Sequence, residues 1–282
     1  MRVGLVVDST CDLPLSYYEE HRVTMVPLSV RFGDEIHRDW IDMDPEEFFR
    51  RMRAGEIPKT SQPTPEEFVE AYGKLADEGV DEIVSLHISA ELSGTMQSAY
   101  VASQTSRVPV RLVDSRVASL GTGLMLARLV AARDDGAAGE ELERIVAGLV
   151  PRVRLMYTVD SLKWLEIGGR IGKASALLGG LLSIRPILTV TDGFVAPLKK
   201  VKGAKRVIEE MIAQVVAEGG TEKPTRGVIL RADSTESSDA LQAGLAAAGV
   251  KMDYLLEGRI GCVIGTYLGP GAYGVIYERN DV

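Results

Sequence analysis

Histidine and cysteine are scarce in this chain, and the shortage closes a class of function. His21, His37 and His87 are the three histidines, and Cys11 and Cys262 the two cysteines, in 282 residues. None stands at a metal-ligand spacing, so neither a metal nor a cofactor is expected, and the cysteines read as reduced thiols. A glycine-rich G-x-x-x-x-G-K-[ST] loop is missing, which removes that route to ATP. G-x-S-x-G is missing as well, which weakens a hydrolase reading. Positive charge is in short supply: the formal net charge is −8, and the densest basic cluster is only Lys199, Lys200, Lys202, Lys205 and Arg206. A nucleic-acid partner is thereby excluded. No apolar run reaches membrane-spanning length; the nearest, A-L-L-G-G-L-L-S-I at 176–184, is broken by glycine. The opening M-R-V-G-L-V-V-D runs straight into a strand without a signal-peptide core, so a soluble, cytoplasmic protein is expected.

What is present is aliphatic residues and 29 glycines, the composition of an α/β protein with many tight turns. The length suggests two domains, 1–150 and 151–282, with the charged stretch after Pro151 as their boundary. The first reads as strands alternating with helices: Val3 to Val7, a half-exposed Val23 to Phe32, Glu82 to Ile88 and Val110 to Val113. That alternation predicts a mainly parallel sheet. Asp12 is expected to cap a helix running to about His21. The second predicts α+β structure with antiparallel strands, including a hairpin turning at Asp192-Gly193. Ala174 to Leu182 is apolar almost all round and is expected as a buried helix or the wall of an apolar cavity.

Four polar turn clusters stand at element ends: Asp8-Ser9-Thr10, Thr60-Ser61-Gln62, Ser93-Gly94-Thr95 and Gly168-Gly169-Arg170-Ile171-Gly172. A glycine-rich G-C-V-I-G-T-Y-L-G-P-G at 261–271 is a fifth. Hydroxyls, backbone amides at a helix start and an arginine are the parts of an anion site. Each cluster also has a plainer role. Asp8 would tie down its own turn, Ser93 or Thr95 would cap a helix, and His87 would be a hydrogen-bonded core residue. Three prolines between 58 and 65 hold that segment extended ahead of a Thr64-Pro65-Glu66-Glu67 capping box, leaving Thr60 free.

In combination these stretches resemble the DegV family. D-S-T-x-D-L-P at 8–14, T-S-Q-P at 60–63, L-S-G-T-x-x-S-A at 92–99, G-G-R-I-G at 168–172, I-x-P-I-L at 184–188 and G-P-G-A-x-G at 269–274 match in order and spacing. The resemblance implies two α/β domains with a long-chain fatty acid in a tunnel between them. It also implies a non-enzymatic carrier, which presents the acyl carboxylate to the catalytic subunit of a fatty acid kinase. The acyl phosphate so formed would feed phospholipid synthesis, with transient contact at a membrane surface.

By motif the carboxylate would meet Thr60, Ser61, Ser93, Gly94, Thr95 and Tyr267. Arg170 would serve the head-group region or the partner, Lys202 the kinase-facing surface, and Leu177, Leu181 and Ile184 the tunnel wall. The family pattern near the end, H-T-G-P-G, is here Tyr267-Leu268-Gly269-Pro270-Gly271; tyrosine keeps a hydroxyl but brings no positive charge. Two other readings stand beside the carrier. One is an acyl hydrolase or transferase with Ser93 as nucleophile, assisted by Tyr267 or His87. The other is a lipid binder no longer competent for phosphotransfer.

Overall fold

Buried β-branched runs separated by amphipathic segments assemble, in the first half of the chain, into a helix-covered parallel sheet. The structure, a computed structural model, describes residues 1–178, 184–254 and 258–279. The strands of this half are β1 (Val3–Asp8), β2 (Val23–Val26), β3 (Ser29–Phe32), β4 (Glu35–Arg38), β5 (Lys59–Ser61), β6 (Glu82–His87) and β7 (Val110–Asp114). Its helices are α1 (Leu15–Glu20), α2 (Pro45–Arg53), α3 (Pro65–Asp77), α4 (Thr95–Ser103), α5 (Leu120–Asp134) and α6 (Gly139–Leu149). Strands β2, β1, β6 and β7 lie in that order, all parallel, with Leu5 opposite both Val23 and Val84. A small antiparallel sheet, β4-β3-β5, pairs Val30 with Thr60 and with His37.

The second half contributes β8 (Val153–Thr158), α7 (Lys163–Ile167), β9 (Ile184–Thr191), β10 (Phe194–Lys202), α8 (Ala204–Ala217), β11 (Thr225–Arg231), α9 (Glu236–Ala247), β12 (Met252–Tyr254), α10 (Cys262–Leu268) and β13 (Tyr273–Glu278). Its six-stranded sheet runs β10-β9-β8-β13-β11-β12, antiparallel throughout except for the last pair. The β9–β10 hairpin turns on Asp192 and Gly193, both at positive φ (55° and 85°), as a two-residue turn of this hand requires. The fold is therefore α/β with one parallel and one mixed, mainly antiparallel sheet.

Helix α5 is buried along most of its length and lies between the sheets, touching β6 on one side and β8, β11 and β13 on the other. A helix apolar all round needs such two-sided cover. Leu5 and Leu86 of the first sheet share one core with Leu155, Tyr157 and Ile276 of the second. On the far face of the second sheet, Met156, Tyr273 and Val275 pack under α8 and α9.

Four expectations change. The segment from Val23 to Phe32 is two strands in different sheets, divided at Pro27-Leu28, where proline supplies no ladder N–H. Asp12 does not cap α1, whose first turn follows Pro14 without a side-chain cap; it sits at φ 56° and binds elsewhere. The glycine-rich 261–271 segment contains a helix, α10. Between Ala174 and Leu182 the chain forms a 3-10 helix at Gly172–Leu177, and residues 179–183, Leu181 among them, lie outside the described residues.

Candidate functional site

At the carboxyl end of the parallel sheet a buried chain of polar groups fixes where the strands stop. Burial pushes the Asp8 carboxyl up, but its contacts with His87, Thr10 and the Ile88 N–H outweigh that and leave it below the usual value. One oxygen accepts the Thr10 N–H at 3.0 Å; the other accepts the Ile88 N–H at 3.0 Å and faces His87 Nδ1 at 3.0 Å. His87 Nε2 meets Ser85 Oγ at 2.7 Å, which in turn meets the Tyr72 hydroxyl. Asp8 and His87 thus take the structural roles available to them.

Beyond Ile88 the chain turns back on itself. Ser89 donates to the Gly193 carbonyl of the hairpin at 3.0 Å, and Ser93 Oγ lies 2.8 Å from Thr95 Oγ1. Gly94 occupies the N-cap position of α4 with no side-chain cap, and Ser93 Oγ takes the Thr95 N–H at 3.3 Å. Opposite this turn, pairing of Val30 with Thr60 holds the Thr60 hydroxyl 2.5 Å from the Tyr267 hydroxyl.

Tyr267 is placed by α10, and α10 is placed by two buried carboxylates from the other half of the chain. Asp12 accepts the Gly261 N–H at 2.9 Å and the Ser119 hydroxyl at 2.5 Å. Asp39 accepts the N–H groups of Cys262 (2.9 Å) and Val263 (3.3 Å) and the Ser9 hydroxyl (2.8 Å). Together they satisfy the free donors at the start of α10. Burial, with Asp39 beside it, pushes Asp12 well up; burial raises Asp39 to about 7 against the hydrogen bonds it receives. Ser119, whose φ of 57° is unusual for a side-chain-bearing residue, is held there by its bond to Asp12.

Arg170, at the exposed mouth, donates to the carbonyls of Leu92 (3.0 Å) and Gly168 (2.9 Å) and lies over the Tyr267 ring at 5.3 Å. Two of its five N–H donors are accounted for in this way. Gly168 has to be glycine, since a Cβ there would come within 2.4 Å of that same ring.

Between these groups lies a cavity of about 250 Å³. Thr60, Ser61, Gln62, Ser93, Arg170 and Tyr267 line it, and Arg170 also borders two neighbouring depressions. The remaining wall is mostly aliphatic: Leu28, Ile88 and Leu92 from the first half, and Leu155, Leu165, Val190, Val195, Leu230, Val263, Ile264 and Leu268 from the second. The arrangement is a greasy chamber with a donor-rich mouth. His87 is not free to activate Ser93, because both its ring nitrogens are taken by Ser85 and Asp8. Among the described residues no group of three His, Cys, Asp or Glu side chains could hold a metal, and no helix is long and apolar enough to cross a membrane.

The structure brings together Thr60, Ser61, Ser93, Arg170 and Tyr267. Gly94 borders the neighbouring depression, and Thr95, fully buried, supports Ser93. Lys202 is exposed at the end of β10 and does not line the cavity; Leu177 is core. Ile184 opens β9, and its side chain lies outside the described residues, as does Leu181. Sequence reasoning missed Leu28 and the α10 wall. The wall does have a signal: 263, 264, 267 and 268 fall on one helical face, and 155 and 157 on one face of a strand.

Comparison with known proteins gives this geometry its relatives. The family described as "Uncharacterised protein, DegV family" matches over residues 2–280. A fatty acid-binding protein of Thermotoga maritima is 33% identical, with 97% of this chain and 96% of that one covered. The solved structure of a DegV family protein from Thermus thermophilus, described for its fatty acid binding, superposes with a TM-score of 0.94 at 37% identity, covering 99% of this chain and 100% of that one. A stearic acid-binding protein from Eubacterium ventriosum follows at 0.88 and 26%, with 99% of both chains covered. Sequence motifs, both sheets and whole-length matches agree: this chain belongs to the DegV family.

Proposed function

We propose that this protein binds a long-chain fatty acid in the cavity between its two sheets and presents the carboxylate at the mouth to a partner kinase, which forms the acyl phosphate. The observation that carries the reading is the polarity of the cavity: aliphatic walls inside, with hydroxyl and guanidinium donors gathered at Thr60, Ser93, Tyr267 and Arg170. Burying an acyl chain gains about 0.8 kcal/mol per methylene, on the order of 10 kcal/mol for a chain of about sixteen carbons before ordering costs. A few charge-assisted hydrogen bonds then suffice to orient the head group. The fatty acid binding described for the Thermus and Thermotoga relatives supports the same ligand class.

In this reading the 1–150 and 151–282 domains enclose the ligand, and Lys202 belongs to the kinase-facing surface. Ile57 and Ile167, each about half exposed beside the mouth near Lys59 and Arg170, suit exchange of the chain at a membrane surface. Tyr267 provides a neutral donor to the head group. Catalysis resides in the kinase, consistent with His87 not being free to activate Ser93.

Organic extraction or native mass spectrometry of the purified protein is expected to reveal a sixteen- to eighteen-carbon acid, a size that matches the stearic acid of one relative's description. Delipidated protein is expected to rebind oleate one to one. Finding no lipid and no uptake of oleate or palmitate overturns the binding reading. The presentation step is tested separately, by trapping acyl hydroxamate after addition of a fatty acid kinase subunit and ATP.

A further inference from the structure

The acyl cavity gathers its polar side chains at the mouth, where each is partly or fully exposed. Among the described residues that line it, the buried polar ones are Ser119 and Tyr157, each 2% exposed. Ser119 gives its hydroxyl to Asp12 at 2.5 Å. The Tyr157 hydroxyl has no hydrogen-bond partner among the described residues, and burial alone moves the phenol, pushing it above its usual range. Near neutral pH it is therefore protonated, a donor with no acceptor.

The ring of Tyr157 has a structural role that its hydroxyl does not share. Side chains alternate along β8, so Leu155 and Tyr157 lie on the cavity side while Met156 packs on the far face. Across the ladder from Tyr157 stands Gly274, where an added Cβ would come within 2.8 Å of the Tyr157 Cβ. A strand glycine has no side chain to pack, and an aromatic ring opposite it fills the space. Phenylalanine would do this equally well, and would suit the aliphatic wall formed with Leu155, Val190 and Leu230. The Tyr273 hydroxyl also lacks a partner, but it is sealed in the core on the far face, out of reach of any ligand. Tyr157 instead belongs to the wall of an open chamber, where a bound molecule can meet it.

Buried hydroxyls are nearly always partnered, and one left unpaired is costly. A saturated chain laid along this wall displaces water from the phenol and offers nothing in its place. A chain with an oxygen at that depth offers the missing acceptor.

We infer that the acyl chain this cavity selects carries a hydrogen-bond-accepting oxygen, as a hydroxyl or keto group, within its length, and that Tyr157 donates to it. The inference rests on the acyl-binding reading and adds the class of chain. Thr60, Ser93 and Arg170 orient the head group of any acid, whereas Tyr157 discriminates among chains. A site built to hydrogen-bond its ligand rejects an analogue that leaves its polar group unpaired.

Competition titrations on the delipidated full chain would compare stearate with hydroxystearates and oxostearates whose oxygen stands at successive mid-chain carbons. At the matching carbon the oxygenated acid is expected to bind about tenfold tighter than stearate. Tyr157→Phe, which removes one oxygen from a ring that stays packed, is expected to reverse the order: stearate gains and the oxygenated acid loses. A purely structural role for the phenol would move both acids alike. The tighter of the two oxygenated series identifies the substituent. A second measurement needs no variant: the keto stretch of isotopically labelled oxostearate bound to the wild type is expected below its frequency in hexane. Stearate binding as tightly as every oxygenated acid, a keto stretch unchanged from hexane, or an advantage that survives Tyr157→Phe overturns the inference. An advantage shown by oleate alone and lost in Tyr157→Phe assigns the acceptor to a double bond, and overturns it too. No uptake of any acid defeats the acyl-binding reading itself, and this inference with it.

Discussion

Across the cavity mouth the turn at 88–95 faces helix α10, and the two are secured in different ways. The turn is tied to distant residues at Ile88, Ser89 and Leu92, but its Ser93–Thr95 end is self-contained. Ser93 bonds to Thr95, and the Ser93 N–H reaches the Ser89 carbonyl at 3.2 Å, all within a few residues. Helix α10 has no cap of its own, and its first donors are satisfied by Asp12 and Asp39, more than 200 positions away. Local bonds survive most changes elsewhere, whereas a helix hung on two buried carboxylates ties the geometry of Tyr267 to the stability of the whole protein.

The largest effect should come from cutting that long-range tie. Asp39→Ala leaves two backbone N–H groups and a buried serine hydroxyl without their acceptor. A loss of about 2–4 kcal/mol is expected in urea unfolding, together with weakened oleate binding, because the helix bearing Tyr267 loses its anchor. An unchanged unfolding midpoint would show that α10 does not depend on this anchor.

A second test separates the carboxylates by pH. Asp39 has its folded value raised by burial from 3.8 to about 7, so between those values the folded state holds a proton that the unfolded state has released. Its stabilising contribution is therefore complete below about pH 4 and is lost as pH rises to about 7. Asp8, shifted down, works in the opposite sense: its contribution is complete above the ordinary value of 3.8 and is lost as pH falls below that toward its lowered folded value. Unfolding free energy measured from pH 4 to pH 8 should fall more steeply in the wild type than in Asp39→Asn; equal slopes would remove Asp39 as the titrating group.

Substitutions at the self-contained side should behave differently. Ser93→Ala removes one hydroxyl at the mouth, and about tenfold weaker oleate binding is expected with stability within about 0.5 kcal/mol of wild type. A drop in stability as large as that of Asp39→Ala would erase the contrast between the two segments. Gln62→Ala should matter least. Its side chain lines the cavity but is exposed and, among the described residues, bonds only to Ser98, at 3.0 Å, so an affinity change of no more than about twofold is expected in the same titration.

Much of the fold was legible because its signals are short-range. The β1 and β6 runs are rich in β-branched residues and buried throughout, the Thr64 capping box forms as written, and Asp192-Gly193 turns the hairpin. The errors share a physical origin. Asp12 has the composition of a local helix cap but is recruited by Gly261 and Ser119. Val23 to Phe32 is a good strand by pattern, yet Pro27 lets the chain leave one sheet for another. Helix α10 looked like a glycine-rich loop because its glycines serve close packing; Gly265 sits against Phe48 and Phe49.

The sequence by itself determined the alternation of elements, the separate hydroxyl clusters and the family motifs, because each depends on neighbours a few positions apart. Only the tertiary structure decided that Thr60 meets Tyr267, that Arg170 lies over that ring, and that aliphatic side chains from both sheets close one cavity. Those meetings depend on strand pairing and on two buried carboxylates that reach across the chain, and such contacts leave no periodic trace in the order of residues.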